Sequence, residues 1–148
     1  TGAIQVLWQC GKSYEQELTQ FEGSLPANVK VLPFIQRMDL AYALSTVIIS
    51  RAGALSVSEL ALVAKPTILV PSPNVAEDHQ TKNARALVDR AAAVLVTDAQ
   101  ASEKLVTTAL DLLSDVAQQQ ELSAALKSFA LPDATKAIVE VCLNSAKL

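Results

Sequence analysis

The chain has 148 residues, of which 51% are hydrophobic, 18% charged and 4% aromatic; this is a globular composition, long enough for one compact domain with a core of Ala, Val, Leu and Ile. The net charge of −3 excludes a broad basic field for nucleic acid or an anionic membrane surface. An anionic ligand would therefore be held by a local device such as a helix N-terminus.

Short β-branched runs alternate with longer helical patterns along the chain. Residues 4–10 (IQVLWQC) read as a strand, residues 13–21 as a short helix, and residues 22–26 (EGSLP) as a loop. Residues 29–34 (VKVLPF) are a second strand and residues 37–44 a short helix. Residues 46–51 (TVIISR) form a third strand that Gly53 closes with a tight turn, before a helix over 56–64. Residues 67–71 (TILVP) are a fourth strand, 77–91 a helix, and 93–97 (AVLVT) a fifth strand. Helices follow over 102–114, 117–129 and 133–146, the last with Asp133 as N-cap. This alternation predicts an α/β fold: a Rossmann-like parallel sheet with helices on both faces. The near-continuous apolar strands predict burial on both sides. The reading is one domain over residues 1–148, without repeat or linker.

Cys10 and Cys142 are far apart, with no histidine at metal spacing and one histidine in the chain. They read as two buried free thiols in a reducing compartment, with no metal site. No apolar run reaches the roughly 18 residues of a membrane span, and no basic-then-apolar signal opens the chain. The abrupt entry from Thr1-Gly2-Ala3 into a strand suggests that something precedes it.

Ligands of open parallel sheets bind beyond the carboxyl ends of the strands. Those ends are Gln9-Cys10-Gly11-Lys12, Pro33-Phe34-Ile35, Ser50-Arg51-Ala52-Gly53-Ala54 and residues 70–77. After Gly53 a helix starts near Leu55 or Ser56, and its free amides and partial positive charge favour a diphosphate. Ala54 is small enough for close approach, and Glu59, one turn in, could accept both hydroxyls of a ribose. Ser56-Val57-Ser58-Glu59 is equally an S-x-x-E capping box, and both readings stand. Neither G-x-G-x-x-G nor G-x-x-x-x-G-K-[ST] is present, which argues against a dinucleotide site and a P-loop. His79 and Gln80, opening the helix after the fourth strand, supply donors and acceptors suited to sugar hydroxyls; a solvated helix start with Asp78 on the dipole is the alternative. At Ile35, backbone N–H and C=O could read a base edge, or the segment is plain strand-to-helix packing.

The segment VLPFIQRMDLAYALSTVIISRAGALSVSELALVAKPTILVPSPNVAEDHQTKNARAL, with VLWQCGK before it, resembles the C-terminal half of the MurG family. These bacterial transferases add N-acetylglucosamine to undecaprenyl-diphosphate-linked muramoyl-pentapeptide. The resemblance covers nearly the whole chain, is strongest over residues 29–87, and rests on three motifs in matching order and spacing. It implies the C-terminal half of a GT-B glycosyltransferase, two Rossmann-like domains with a cleft between them, of which this half holds UDP-N-acetylglucosamine without cofactor or metal. It further implies that the Ile35 backbone reads uracil, that Glu59 holds the ribose, that Ala54, Leu55 and Ser56 meet the diphosphate and sugar, and that His79 and Gln80 contact sugar hydroxyls. Ser56 stands for a threonine of some members and His79 for a glutamine. Phe34 and Met38 would shape the base pocket, while Arg51, Gly53 and Asn83 support the site.

Two parts of the family pattern are not in this sequence. One is the acceptor domain with its Gly-rich loops and presumed base, so no catalytic residue is expected here and the fragment alone is expected to be inactive. The other is the first strand-helix unit with its Gly-Gly-Ser loop. That strand is central in a 3-2-1-4-5-6 order, so a gap between the first and third strands seen here is expected, with an oligomer or partly rearranged sheet as the consequence. The apolar last helix is expected to leave surface for self-association.

The leading functional expectation is the donor half of an inverting transferase of peptidoglycan synthesis, cytoplasmic and peripheral on the cytoplasmic face of the inner membrane. Its partners would be UDP-N-acetylglucosamine and, through the other domain, the lipid-linked acceptor, with no nucleic acid. The alternative is a stand-alone, non-catalytic nucleotide-sugar-binding subunit of a two-chain glycosyltransferase. A nucleotide-sugar epimerase is a weaker third, lacking the necessary carboxylates and histidines.

Overall fold

The fold is described from a computed structural model, in which residues 4–19, 23–75 and 78–146 are placed. The expected helix end near residue 21, the loop start at Glu22 and the helix start at Glu77 lie outside these residues. The chain separates into two compact units, Thr1–Leu44 and Ser45–Leu148.

In the first unit, β1 (Val6–Gln9) pairs in parallel with β2 (Val29–Leu32), with Val6 opposite Val29 and Gln9 opposite Leu32. A 3₁₀ turn (Lys12–Tyr14) and α1 (Glu15–Leu18) follow β1, and α2 (Met38–Leu44) follows β2. The ladder reaches beyond the strands through Val6 N–H to Asn28 C=O at 2.8 Å and Cys10 N–H to Leu32 C=O at 3.0 Å. Gly11, at φ +87°, takes the left-handed conformation that ends β1, which glycine adopts without a Cβ clash.

Burial on both faces does not hold for β1. All four of its residues are exposed, Trp8 by 51%. A unit of 44 residues with two strands has too little chain to close over a sheet. Among the described residues every fully buried apolar side chain lies between Ile48 and Leu126.

In the second unit, β3 (Ile48–Ser50), β4 (Thr67–Leu69) and β5 (Val94–Leu95) form a parallel sheet in the order β3-β4-β5. The helices α3 (Ala54–Val63) and α4 (His79–Val88) follow β3 and β4, and α5 (Asp98–Ser114), α6 (Val116–Lys127) and α7 (Ala134–Ser145) follow β5. The central strand β4 is closed off on both faces. Ile68 and Val70 on one face pack with Val96, Leu112 of α5 and Leu122 of α6, while Thr67 and Leu69 on the other are equally inaccessible. Ala64, at φ +52°, ends α3 in a left-handed cap, its N–H bonded to Leu60 C=O at 2.8 Å.

The five strands therefore make two sheets and not one. Each of the two sheets is parallel throughout.

Two smaller expectations change. Cys10 is half-buried and Cys142 exposed, so the cysteines are free but not two buried thiols. Asp133 occupies the N-cap position of α7, yet its side chain makes no capping bond; the cap made is at α6, where Asp115 accepts from Gln118 N–H at 2.9 Å. The last helix does leave apolar surface: no residue of α7 is buried, and Ile138, Val139, Val141 and Leu143 are all exposed. No helix among the described residues is long and apolar enough to cross a membrane.

Candidate functional site

The carboxyl ends of β3, β4 and β5 gather most of the residues singled out from sequence. Helix α3 begins at Ala54, two residues earlier than expected, with Gly53 as N-cap. This displaces the capping box. Ser56 is the third helical residue, not the cap, and no side chain caps the helix. The first bond of the helix runs from Val57 N–H to Gly53 C=O at 2.9 Å. The amides of Ala54, Leu55 and Ser56 thus lie ahead of the helix's own hydrogen bonding, at its positive end.

Gly53 itself has φ −65° and ψ 149°, a conformation open to any residue. A Cβ there would meet only Ser56 Oγ, at 3.6 Å. The expected tight turn is therefore not what requires glycine. What glycine supplies is the absence of a side chain over the first amides of α3.

Leu55, Ser56 and Glu59 share one face of α3, at spacings of three and four residues. Leu55 is 82% exposed and Glu59 is exposed, whereas Leu60 and Ala61 point to the core. Glu59 lies five residues beyond Ala54, about 7–8 Å along the axis at 1.5 Å per residue.

A set of side-chain bonds ties the three strand ends together. Gln80 Oε1 accepts from Ser72 N–H at 2.9 Å and from Ala52 N–H at 3.3 Å. Asn83 Nδ2 donates to Ala52 C=O at 3.0 Å. Arg51 donates to Val70 C=O at 3.2 Å and is ion-paired with Asp98, at the start of α5. His79 is exposed at the first position of α4, after Asp78 in the left-handed region at φ 52°. Asp78 makes no capping bond.

The first unit carries the residues expected at the base. Phe34 is exposed, and Ile35 and Met38 are half-buried. The Ile35 N–H donates to Gln9 Oε1 at 2.8 Å, so of its two backbone groups the amide is occupied within the protein. Gln9 was not singled out from sequence. Its signal was the parallel pairing, which sets the carboxyl end of β1 beside that of β2 and lets a long amide side chain reach the next loop. Asp98 and Ser72 were likewise missed, because their roles depend on which loops the sheet brings side by side.

The model of the glycosyltransferase family 28 C-terminal domain matches residues 1–138. The chain belongs to this family. Family 28 relatives named UDP-N-acetylglucosamine--N-acetylmuramyl-(pentapeptide) pyrophosphoryl-undecaprenol N-acetylglucosamine transferase include that of Flavobacterium psychrophilum, 51% identical over 93% of this chain and 37% of its own. That of Cytophaga hutchinsonii is 55% identical over 92% of this chain and 36% of its own. The chain thus spans little more than a third of the curated relatives it matches, and such relatives do not favour a separate two-chain subunit. The crystal structure of Acinetobacter baumannii MurG superposes with a TM-score of 0.79 at 30% identity, over 95% of this chain and 42% of that one. A glycotransferase of kitacinnamycin, 22% identical with a TM-score of 0.68, shares the fold. Family 28 membership and these neighbours bear out the α/β, GT-B-type fold.

Proposed function

We propose that residues 1–148 are the donor-binding domain of an N-acetylglucosaminyltransferase, incomplete at its N-terminal side. The domain binds UDP-N-acetylglucosamine. The whole protein transfers the sugar, with inversion, to a lipid-linked muramoyl-pentapeptide in peptidoglycan synthesis, as a peripheral protein on the cytoplasmic face of the inner membrane. The names of relatives about half identical to this chain support the substrate and acceptor.

The observation that carries the reading is the uncapped start of α3, with Leu55, Ser56 and Glu59 on one accessible face. The diphosphate takes the amides of Ala54, Leu55 and Ser56. Glu59, about 7–8 Å further along the helix, accepts the two ribose hydroxyls. His79, exposed at the start of α4, meets the sugar. In the first unit, taken by itself, the Ile35 N–H is held by Gln9, so the Ile35 carbonyl is the backbone group suited to accept a hydrogen bond from a base N–H.

In the reaction the acceptor hydroxyl attacks the anomeric carbon, the bond from that carbon to the diphosphate oxygen breaks, and UDP leaves. A base of the acceptor domain takes the hydroxyl proton. The helix start stabilises the charge that gathers on the diphosphate, an electrostatic contribution that needs no reorganisation during the step.

Calorimetric titration with UDP, UDP-N-acetylglucosamine and UDP-glucose tests this. The chain binds UDP, and Glu59→Ala weakens that binding by roughly 1–3 kcal/mol, the range for a lost charged hydrogen-bond partner. Unchanged affinity in the variant removes Glu59 from the ribose. Self-association through the exposed apolar surface of α7 is a companion proposal, and a monomer by light scattering at all concentrations ends it.

A further inference from the structure

Gln80 is a residue that the resemblance gives to the sugar, yet its carbonyl oxygen is committed within the protein. Oε1 accepts two backbone amides, those of Ser72 and Ala52, which accounts for both of its lone pairs. Asn83, three residues later on the same face of α4, donates to the carbonyl of Ala52. Both backbone groups of Ala52 are therefore held by side chains of α4. Ala52 is fully buried, and it directly precedes Gly53, the N-cap of α3. Its own side chain is a methyl group, which can anchor nothing polar.

The segment that sets the direction of the first amides of α3 is thus fastened by the helix that follows the next strand. Arg51, one residue earlier, fastens it on the other side, through Val70 C=O and the Asp98 carboxylate. A helix start without a capping side chain lacks the usual local anchor for the entry of the chain into its first turn. Here that fixing comes from 28 and 31 residues further along the sequence.

We propose that Gln80 and Asn83 are positioning residues: they clamp Ala52 so that the amides of Ala54, Leu55 and Ser56 converge on a diphosphate. This rests on the proposed function. Removing either side chain leaves a buried backbone group of Ala52 without its partner, and the turn re-aims to recover one. The loss falls on the phosphate end of the ligand, because that is the end the turn addresses.

The test is a ligand series on the full chain and on Gln80→Met, Asn83→Ala and His79→Ala. UDP and UDP-N-acetylglucosamine are titrated by calorimetry, uridine by NMR shift changes, and folding is followed by thermal unfolding. The unsubstituted chain is measured first; if it does not bind UDP, the proposed function fails before any variant is considered. Given that binding, Gln80→Met and Asn83→Ala each weaken UDP by roughly 5- to 20-fold and leave uridine unchanged, and Asn83→Ala weakens UDP-N-acetylglucosamine by the same factor as UDP. His79→Ala weakens UDP-N-acetylglucosamine alone. A Gln80→Met variant that keeps UDP affinity and loses only the sugar nucleotide overturns the proposal in favour of direct sugar contact. Lowered thermal stability with both affinities intact overturns it in favour of a stability element. Either variant suffices if the other does not fold.

Discussion

Replacing Gly53 with aspartate probes the start of α3 through stability and binding, with opposite signs. The backbone at Gly53 (φ −65°, ψ 149°) admits an L-residue, and the nearest atom to a new Cβ is Ser56 Oγ at 3.6 Å. The unfolded chain loses conformational freedom, worth ~0.4–1 kcal/mol. The new carboxylate caps the helix, where aspartate exceeds glycine by only a few tenths of a kcal/mol, and it meets the helix dipole for ~0.3–1 kcal/mol. The expected stabilisation is about 1–2 kcal/mol, or about 3–8 °C in Tm at this chain length, read by thermal and urea unfolding. The same carboxylate occupies the amides assigned to the diphosphate. At about 6 Å and an effective dielectric of ~20 its repulsion of one phosphate charge is ~3 kcal/mol, so UDP affinity falls by roughly 100-fold. A destabilised variant refutes the argument that this turn does not need glycine. A stabilised variant with unchanged UDP affinity refutes the placement of the diphosphate.

The remaining predictions concern the fold around that site. Leu60→Ala removes a fully buried side chain from α3 and costs ~2–5 kcal/mol in urea unfolding, whereas Leu62→Ala, at a site 53% exposed, stays within roughly 0.5 kcal/mol; equal effects would contradict the orientation of α3. Asp115→Ala removes the cap of α6 and costs about 1 kcal/mol, while Asp133→Ala, at a position without a capping bond, leaves the melting curve nearly unchanged. The Asp39 carboxyl lies below its ordinary range chiefly because Arg37 donates to it. With a lowered folded-state value its contribution is present above the unfolded value and is lost as pH falls through the folded one. Arg37→Gln returns the Asp39 titration towards the ordinary carboxylate range in an NMR pH series, and an unmoved titration means the pair does not persist in solution.

Much was legible in the sequence because it rests on local periodicity. Runs such as TVIISR and TILVP have the apolar character of parallel strands, and all five strands fall within the predicted runs; the last two helices lie within two residues of their predicted bounds, while α5 begins at Asp98, four residues before the predicted start. The helix start after Gly53 was found, but not its position. An S-x-x-E run suggests a cap at Ser56, and the helix instead begins at Ala54 with Gly53 as N-cap.

The sequence by itself determined the α/β alternation, the family, and which strand-end loops to inspect, since each is written in residues adjacent along the chain. Tertiary structure alone decided that Gln80 and Asn83 hold Ala52, that Gln9 holds the Ile35 amide, and that Arg51 reaches Asp98. Those pairs are separated by 26 to 47 residues. They meet because parallel strands bring their carboxyl ends side by side, and a buried backbone group accepts whatever partner the neighbouring loop presents.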